Sequence, residues 1–250
     1  MSGHSHWATI KHKKGAIDAK RGKLFSKLSR AIIIAARHGG GDPEMNLKLR
    51  YAIDKARQVS MPKDNIERAI KRGTGEADGL IFEEITYEGY GPGGAAILVD
   101  VLTDNRNRTA SEIRKIFERS GGKLGSAGNV AFLFERKGVF SIDAGTTDED
   151  TLMAIALEAG AEDLKRLGFS FEITCDPSAF NQLQEALKKH SLNPTLAEVS
   201  QVPKVPVDVE PETGAKIMRL MEHLDDHDDV QNVYANVNIS EEMAAAMGKE

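Results

Sequence analysis

Residues 138–174 read GVFSIDAGTTDEDTLMAIALEAGAEDLKRLGFSFEIT, and their pattern predicts a strand, a helix and two more strands. Short runs of β-branched and aromatic residues favour the strands, and apolar residues at helical spacing favour the helix. The elements predicted along this part of the chain are the strand Val139–Ile142, the helix Asp150–Ala159, the strands Asp163–Leu167 and Phe169–Thr174, the helix Ser178–His190 and the strand Thr195–Gln201. The order βαββαβ is a complete ferredoxin-like unit, so we predict an α+β domain over residues 138–205.

The segments on either side of this unit are incomplete when taken separately. The elements predicted there are the strands Phe82–Glu88 and Ala95–Leu102, a helix opened by a capping box at Thr109–Glu112, the strand Val130–Glu135, a late helix through Ile217 and Leu224, and the strand Val230–Ile239. A lone helix and strand need a sheet to join. We therefore predict one discontinuous α+β domain, residues 80–137 plus 206–240, with 138–205 inserted into it. Three domains strictly in series are the alternative.

The amino-terminal part has a helical period from Leu24 onward. Gly39–Gly41 ends the first helix, Asp42-Pro43 begins a second with Met45 on its inner face, and Pro62 begins a third. Residues 1–23, rich in Lys and Gly, are predicted to form an arm. The predicted fold class is α+β with three domains: a basic arm and helical bundle over 1–79 and two ferredoxin-like α+β domains, the last inserted into the middle one.

Positive and negative charges are distributed unevenly along the chain. The 250 residues carry a net charge of −5, but residues 1–75 hold 17 Lys and Arg against 6 Asp and Glu, a net charge of +11. The other 175 residues carry −16. A basic end on an acidic remainder predicts a polyanionic partner, with nucleic acid favoured. A membrane surface is disfavoured because, apart from Met1, residues 1–23 offer only Trp7, Ile10 and Ile17 as large apolar groups.

The candidate nucleic-acid contacts in the basic end are cations and one aromatic residue. They are Trp7, Lys11, His12, Lys13, Lys14, Lys20, Arg21, Lys23, Lys63, Arg68, Lys71 and Arg72. Any single cation among them is equally well explained as solvated surface charge. Trp7 is the only tryptophan, and two roles stay open for it: stacking on an unpaired base, or fixing the arm to the bundle.

A second candidate contact is the segment Thr103–Thr109, between a strand and a helix. Asn105, Arg106, Asn107 and Arg108 could bind a phosphate or a sugar edge at the start of that helix. In the alternative, Asn and Asp cap the backbone and the arginines pair with carboxylates of the same domain. The acidic run Asp225–Asp229 favours a solvated helix end over a cation site.

Several classes of protein are disfavoured. The longest apolar run, Ala31–Ala36, is too short to span a bilayer, the amino terminus has no secretory apolar segment, and Cys175 is the only cysteine, so we expect a cytoplasmic protein. No nucleophile elbow, HExxH pair or Walker lysine occurs, and Gly89–Gly94 reads as a hairpin turn, so no enzymatic activity, cofactor, small-molecule substrate or metal is predicted. A narrower hypothesis is that Ser2-Gly3-His4 binds Cu(II) or Ni(II) once Met1 is removed.

Several motifs resemble the YebC family over essentially the full length. They are Gly3-His4-Ser5 with Trp7, Ile10–Lys14, Lys20–Ser29, Met61–Ile66, Tyr87–Gly94 and Leu102–Thr109. His6 departs from the lysine that this family pattern usually has. The resemblance implies three domains around an open cavity and a cytosolic nucleic-acid-binding protein without known catalysis. Family members include probable bacterial transcriptional regulators and a mitochondrial translational activator.

Two partners are therefore expected as alternatives, DNA for a transcriptional regulator and ribosomal RNA for a translation factor that relieves stalling at proline runs. For DNA, helices 43–58 and 62–72 could form a helix-turn-helix with Lys63 and Asn65 toward the bases, although the turn lacks the common glycine. For RNA, a basic arm and a distant Asn/Arg loop suit binding by shape. The oligomeric state is not fixed by the sequence, and a monomer is compatible with it.

Overall fold

The computed structural model describes residues 18–75 and 82–238, with side chains from Gly22 onward. Its main elements are α1 (Asp18–Gly39), α2 (Leu47–Gln58), α3 (Lys63–Thr74), β1 (Glu83–Tyr90), β2 (Ala96–Thr103), α4 (Arg106–Arg119), β3 (Lys123–Leu124), β4 (Phe134–Asp143), α5 (Glu149–Glu158), β5 (Ala161–Leu167), β6 (Ser170–Cys175), α6 (Phe180–Lys189), β7 (Leu196–Pro203), α7 (Pro211–Asp225) and β8 (Val230–Ala235). The fold is α+β: amino-terminal helices followed by two four-stranded sheets. No helix within the described ranges is both long and apolar enough to cross a membrane.

The three amino-terminal helices share one apolar core. Ile32, Leu49, Ile53 and Ala69 are buried in it. α3 comes very close to α1 at Gly73, where an added Cβ would lie 2.4 Å from the Ile33 carbonyl oxygen. The bundle is thus a close-packed unit whose charged residues lie mostly at its surface.

Two boundaries in the bundle differ from the sequence-based predictions. α2 begins at Leu47 because Asn46 caps it: its side chain accepts from the Leu49 N–H at 3.1 Å and donates to the Ala35 carbonyl at 2.7 Å. The predicted start at Asp42-Pro43 is therefore wrong, and Met45 is 84% exposed instead of buried. α1 begins at Asp18, so the last residues of the predicted arm are helical, and residues 1–17 lie outside the described part.

The middle domain has a sheet in the order β3-β1-β2-β8, with antiparallel neighbours. α4 and α7 cover one face, where Val99, Phe117 and Leu220 are buried together. β8 pairs with β2 from Ile97↔Ala235 onward, so the chain leaves this sheet after β3 and returns to it after the second sheet is complete. The serial alternative is wrong because the last helix and strand close the first sheet.

The inserted domain has strand order β5-β6-β4-β7, again with antiparallel neighbours, and the helices α5 and α6. This is the βαββαβ ferredoxin-like arrangement that the sequence predicts. The middle domain also has four antiparallel strands and two helices, with its own strand order.

Three details of the middle domain and its border with the insertion were mispredicted. Val130–Glu135 is not one strand: a 3-10 turn at Ala131–Leu133 precedes β4, and β3 is the third strand of the middle sheet. β4 pairs with β7 from Phe134 to Ser141, so residues 137 and 138 lie inside one continuous strand. α4 begins at Arg106 because Asn105, and not Thr109, is its N-cap.

Candidate nucleic-acid interface

The outer side of α3 is a cationic surface formed by four of the predicted contact residues. They are Lys63, Arg68, Lys71 and Arg72, all of them exposed. Ile66, Ala69 and Gly73 form the buried side of the same helix. Lys63 lies 3.5 Å from Glu67, whereas Arg68 and Lys71 form no ion pair with any residue in the described ranges. The helix therefore presents positive charge that the described parts of the chain do not neutralise.

The connection between α2 and α3 suits a helix-turn-helix. It consists of residues 59–62, within the usual turn length. Ser60 takes the left-handed conformation, with φ of 58°, and the Met61 N–H donates to the Ala56 carbonyl at 3.0 Å. A serine thus occupies the conformation that glycine commonly provides, and Lys63 and Asn65 fall in the first turn of α3.

Three basic residues of α1 instead dock on the middle domain. Lys23, Lys27 and Arg30 lie on one side of α1 and face the segment 225–229 at the end of α7. Lys23 Nζ is 3.4 Å from the Asp226 carbonyl oxygen, and Arg30 donates to the Asp228 carbonyl oxygen at 2.8 Å. Cations are favourable there because the last carbonyls of a helix carry partial negative charge. The acidic run is therefore partly a docking site within the protein, through the carboxylates of Asp225 and Asp229, while the side chains of Asp226 and Asp228 stay exposed. Lys23 lies on this seam.

The segment 103–109 serves largely to hold its own helix. The Asn105 side chain accepts from the Arg108 N–H at 3.1 Å as the cap of α4. The Arg108 guanidinium donates to the carboxylates of Asp104 and Asp229, each at 2.9 Å. Asn105 and Arg108 thus follow the structural interpretation, while Arg106 and Asn107 are exposed on the first turn of α4.

Asp229 is the acceptor at the centre of this region. Its side chain is 6% exposed and accepts from Arg30 at 2.9 Å, Thr109 at 2.7 Å and Thr103 at 3.1 Å, besides Arg108. Burial raises the pKa of this carboxyl, but the hydrogen bonds from Thr109, Arg108 and Thr103 and the Arg108 charge outweigh burial and hold the pKa below its usual value. Asp229 is therefore ionised at neutral pH.

Sequence reasoning missed most of a second cationic surface on α4, of which it named only Arg106 and Arg108. Residues 106–119 hold five Arg and Lys against two Glu, a net charge of +3 inside the acidic two-thirds of the chain. Arg114, Lys115 and Arg119 are exposed along this helix. The signal was present in the sequence, but it is lost when residues 76–250 are summed as one acidic block.

A cleft of about 640 Å³ separates α1 from α4. Its charged lining consists of Lys23, Arg30, Arg108, Lys115 and Arg119, the carboxylates of Asp104, Glu112, Asp226, Asp228 and Asp229, and His227. Five cations face five carboxylates, so the cleft is close to neutral and is a poor groove for a polyanion. The surplus positive charge lies outside it, on the exposed side of α3 and at Arg106 and Arg114 of α4.

Several predicted residues lie outside this description. Residues 1–17 are not described, and they include Trp7, Lys11, His12, Lys13, Lys14 and the segment Ser2–His4. Lys20 and Arg21 lie in α1, but their side chains are not described.

No group of three His, Cys, Asp or Glu suited to a metal occurs in the described part of the chain. Burial raises the pKa of the Cys175 thiol to about 11.

Comparison with known proteins assigns the family. Residues 5–76 match the model described as the TACO1/YebC protein N-terminal domain, and residues 82–237 match the TACO1/YebC second and third domain. The chain belongs to the TACO1/YebC family. This confirms the resemblance drawn from the sequence motifs, and the two matches together span almost the whole chain.

Relatives in the TACO1/YebC family match at full length. A probable transcriptional regulatory protein of Dictyoglomus turgidum is 55% identical over 248 residues, covering 99% of this chain and 100% of that protein. One from Rhodopirellula baltica is 52% identical over 243 residues, covering 97% and 98%. The crystal structure of a conserved hypothetical protein from Aquifex aeolicus has a TM-score of 0.83 at 47% identity, covering 94% of this chain and 98% of that one.

Proposed function

We propose that this TACO1/YebC protein is a non-enzymatic regulator of gene expression that binds DNA and regulates transcription. The observation that carries the proposal is the exposed cationic side of α3, which follows a turn of helix-turn-helix length and conformation. The names of the relatives, probable transcriptional regulatory proteins, support the same class of function.

In this proposal α3 enters the major groove, and the residues at its two ends make different contacts with DNA. Lys63 and Asn65, in the first turn, contact base edges, as the first residues of a recognition helix do. Arg68 and Lys71, farther along, contact phosphates and supply affinity without sequence information. Binding should therefore weaken steeply as salt rises, because each neutralised phosphate releases counterions.

The test is to crosslink the full chain to nucleic acid in cells and to sequence what it holds. A transcriptional regulator should recover discrete duplex DNA sites, and binding to those sites in vitro should survive an excess of unrelated competitor DNA. Recovery of no nucleic acid above the background of an uncrosslinked sample would contradict the proposal. Recovery of RNA would instead favour the second candidate.

That second candidate is a ribosome-associated translational activator that relieves stalling at proline runs. It is favoured by the position of the exposed cations on two domains, the bundle and α4, since structured RNA is recognised by shape and backbone more than through one groove. Cosedimentation with ribosomes, lost at high salt, would support it. Crosslinks confined to DNA would exclude it.

A further inference from the structure

The Asp229 carboxylate joins two cationic elements from different domains. Arg30 belongs to the bundle and Arg108 to α4, and each donates to a different oxygen of Asp229 at 2.9 Å. Both arginines are partly exposed, at 29% and 44% of their side chains, whereas Asp229 is buried beneath them. The negative charge of the Asp229 carboxylate thus offsets the electrostatic repulsion between the Arg30 and Arg108 guanidinium groups that bind to it.

The Arg108 side of the contact is firmly held. Thr103 and Thr109 donate hydroxyl bonds to the same carboxylate, and the Asp229 carbonyl accepts from the Leu102 N–H at 2.8 Å. The Arg30 side is the link to the bundle, reinforced by the neighbouring Lys27, which donates to the Asp225 carbonyl. Since α3 packs on α1, this seam is one of the contacts that set the orientation of the α3 surface relative to α4.

We infer that Asp229 is a positioning residue that holds the cationic sides of α3 and α4 in one arrangement, so that both engage a single nucleic-acid backbone together. This inference rests on the proposed function, in its DNA or its RNA form. Two surfaces held at a fixed separation bind as a bivalent unit, with affinity well above that of either alone. Without this anchor, the two surfaces are held less firmly relative to each other, and each binds more independently.

Electrostatics alone predicts the opposite effect on nucleic-acid binding when the Asp229 charge is removed. Removing one carboxylate near cationic surfaces should tighten the binding of a polyanion. A positioning role requires the reverse for Asp229→Asn. Asp228→Asn is the matched control, because it removes the same charge from the next residue, whose side chain is exposed and whose carbonyl, not its carboxylate, accepts from Arg30.

The experiment measures the Kd of the full chain for a labelled mixed-sequence duplex and for a folded RNA hairpin over a range of salt concentrations. Asp229→Asn should bind roughly tenfold more weakly to the nucleic acid that the wild type binds, with a salt slope shallower by about two. Asp228→Asn should bind as tightly as the wild type or slightly more tightly. Binding by Asp229→Asn equal to that of Asp228→Asn overturns the inference, whereas a wild-type chain that binds neither probe overturns the proposed function instead.

A double-mutant cycle separates positioning from general damage to the fold. Arg106→Ala should weaken binding in the wild-type and Asp228→Asn backgrounds but have no further effect in Asp229→Asn, because the α4 surface is then already disengaged. Arg30→Met, which breaks the bundle side and leaves the Thr103 and Thr109 bonds in place, should abolish the Arg106→Ala effect in the same way. An undiminished Arg106→Ala effect in both backgrounds would refute the positioning role.

Discussion

Lys55 and Glu198 join the bundle to the inserted domain, with the ammonium nitrogen 3.1 Å from the carboxylate. The same nitrogen lies 3.4 Å from the Asn232 side-chain oxygen in β8, so one lysine contacts all three domains. We expect Lys55→Met to lower the free energy of unfolding by about 1 kcal/mol, because it removes a partly buried ion pair and a hydrogen bond. Urea denaturation measures this change.

The control for that prediction is Lys48→Met. Lys48 also pairs across domains, with Glu84, but the two side chains are 58% and 48% exposed. Water and salt screen such a pair, so the change should stay within about 0.5 kcal/mol. Equal effects of the two substitutions would show that Lys55 has no special role in domain packing.

Glu88 organises the loop that follows β3. Its buried carboxylate accepts from the N–H groups of Gly128 and Val130 at 2.6 Å and of Ala131 at 2.8 Å. Glu88→Gln replaces one acceptor oxygen with a donor amide that faces backbone donors. We expect a loss of about 2 kcal/mol of unfolding free energy, in the range for hydrogen bonds to charged groups. A loss under about 0.5 kcal/mol would mean that the loop holds without this carboxylate.

The Glu88 contribution should also depend on pH. Burial raises the pKa of Glu88, but the backbone bonds from residues 128–131 outweigh burial and hold the pKa below its usual value. A group whose pKa is lowered on folding stabilises the fold above its unfolded pKa, about 4.3 for Glu, and loses that effect as the pH falls through the folded value. The stability difference between wild type and Glu88→Gln should be full at pH 7 and shrink below about pH 4.

Gly73 is required by the crossing of α3 over α1. An added Cβ would lie 2.4 Å from the Ile33 carbonyl oxygen and 2.7 Å from the Ala36 Cβ. Gly73→Ala should therefore destabilise the protein by about 2 kcal/mol, since overpacking against backbone exceeds the gain in helix propensity. Gly22→Ala in α1 is the matched control. No atom lies within 4 Å of its added Cβ, so it should raise stability by about 0.5–1 kcal/mol in the same thermal or urea unfolding assay.

The order of elements could be predicted from the sequence because hydrophobic period and turn residues are local signals. The start of α2 could not, since the Asn46 cap also depends on a bond to the Ala35 carbonyl of the preceding helix. The start of α4 was mispredicted because Thr109, the predicted cap, bonds instead to Asp229, which is 120 residues away along the chain. The docking of Arg30 on Asp229 was also hidden, because its partner lies 199 residues away along the chain. That the α3 cations share an exposed helix side could be predicted because this needs no knowledge of distant contacts, and their contact with nucleic acid stays a prediction.

The central claim is that the cationic side of α3 binds a polyanion, and charge reversal there tests it most directly. The affinity of the full chain for nucleic acid is measured against salt for Arg68→Glu/Lys71→Glu and for Lys188→Glu/Lys189→Glu. The second pair makes the same charge change at two exposed lysines at the end of α6, in the inserted domain. We expect the α3 variant to lose at least about tenfold in affinity at low salt and about two in salt slope, with the α6 variant much less affected. Equal affinity and slope in the α3 variant and the wild type would contradict the account.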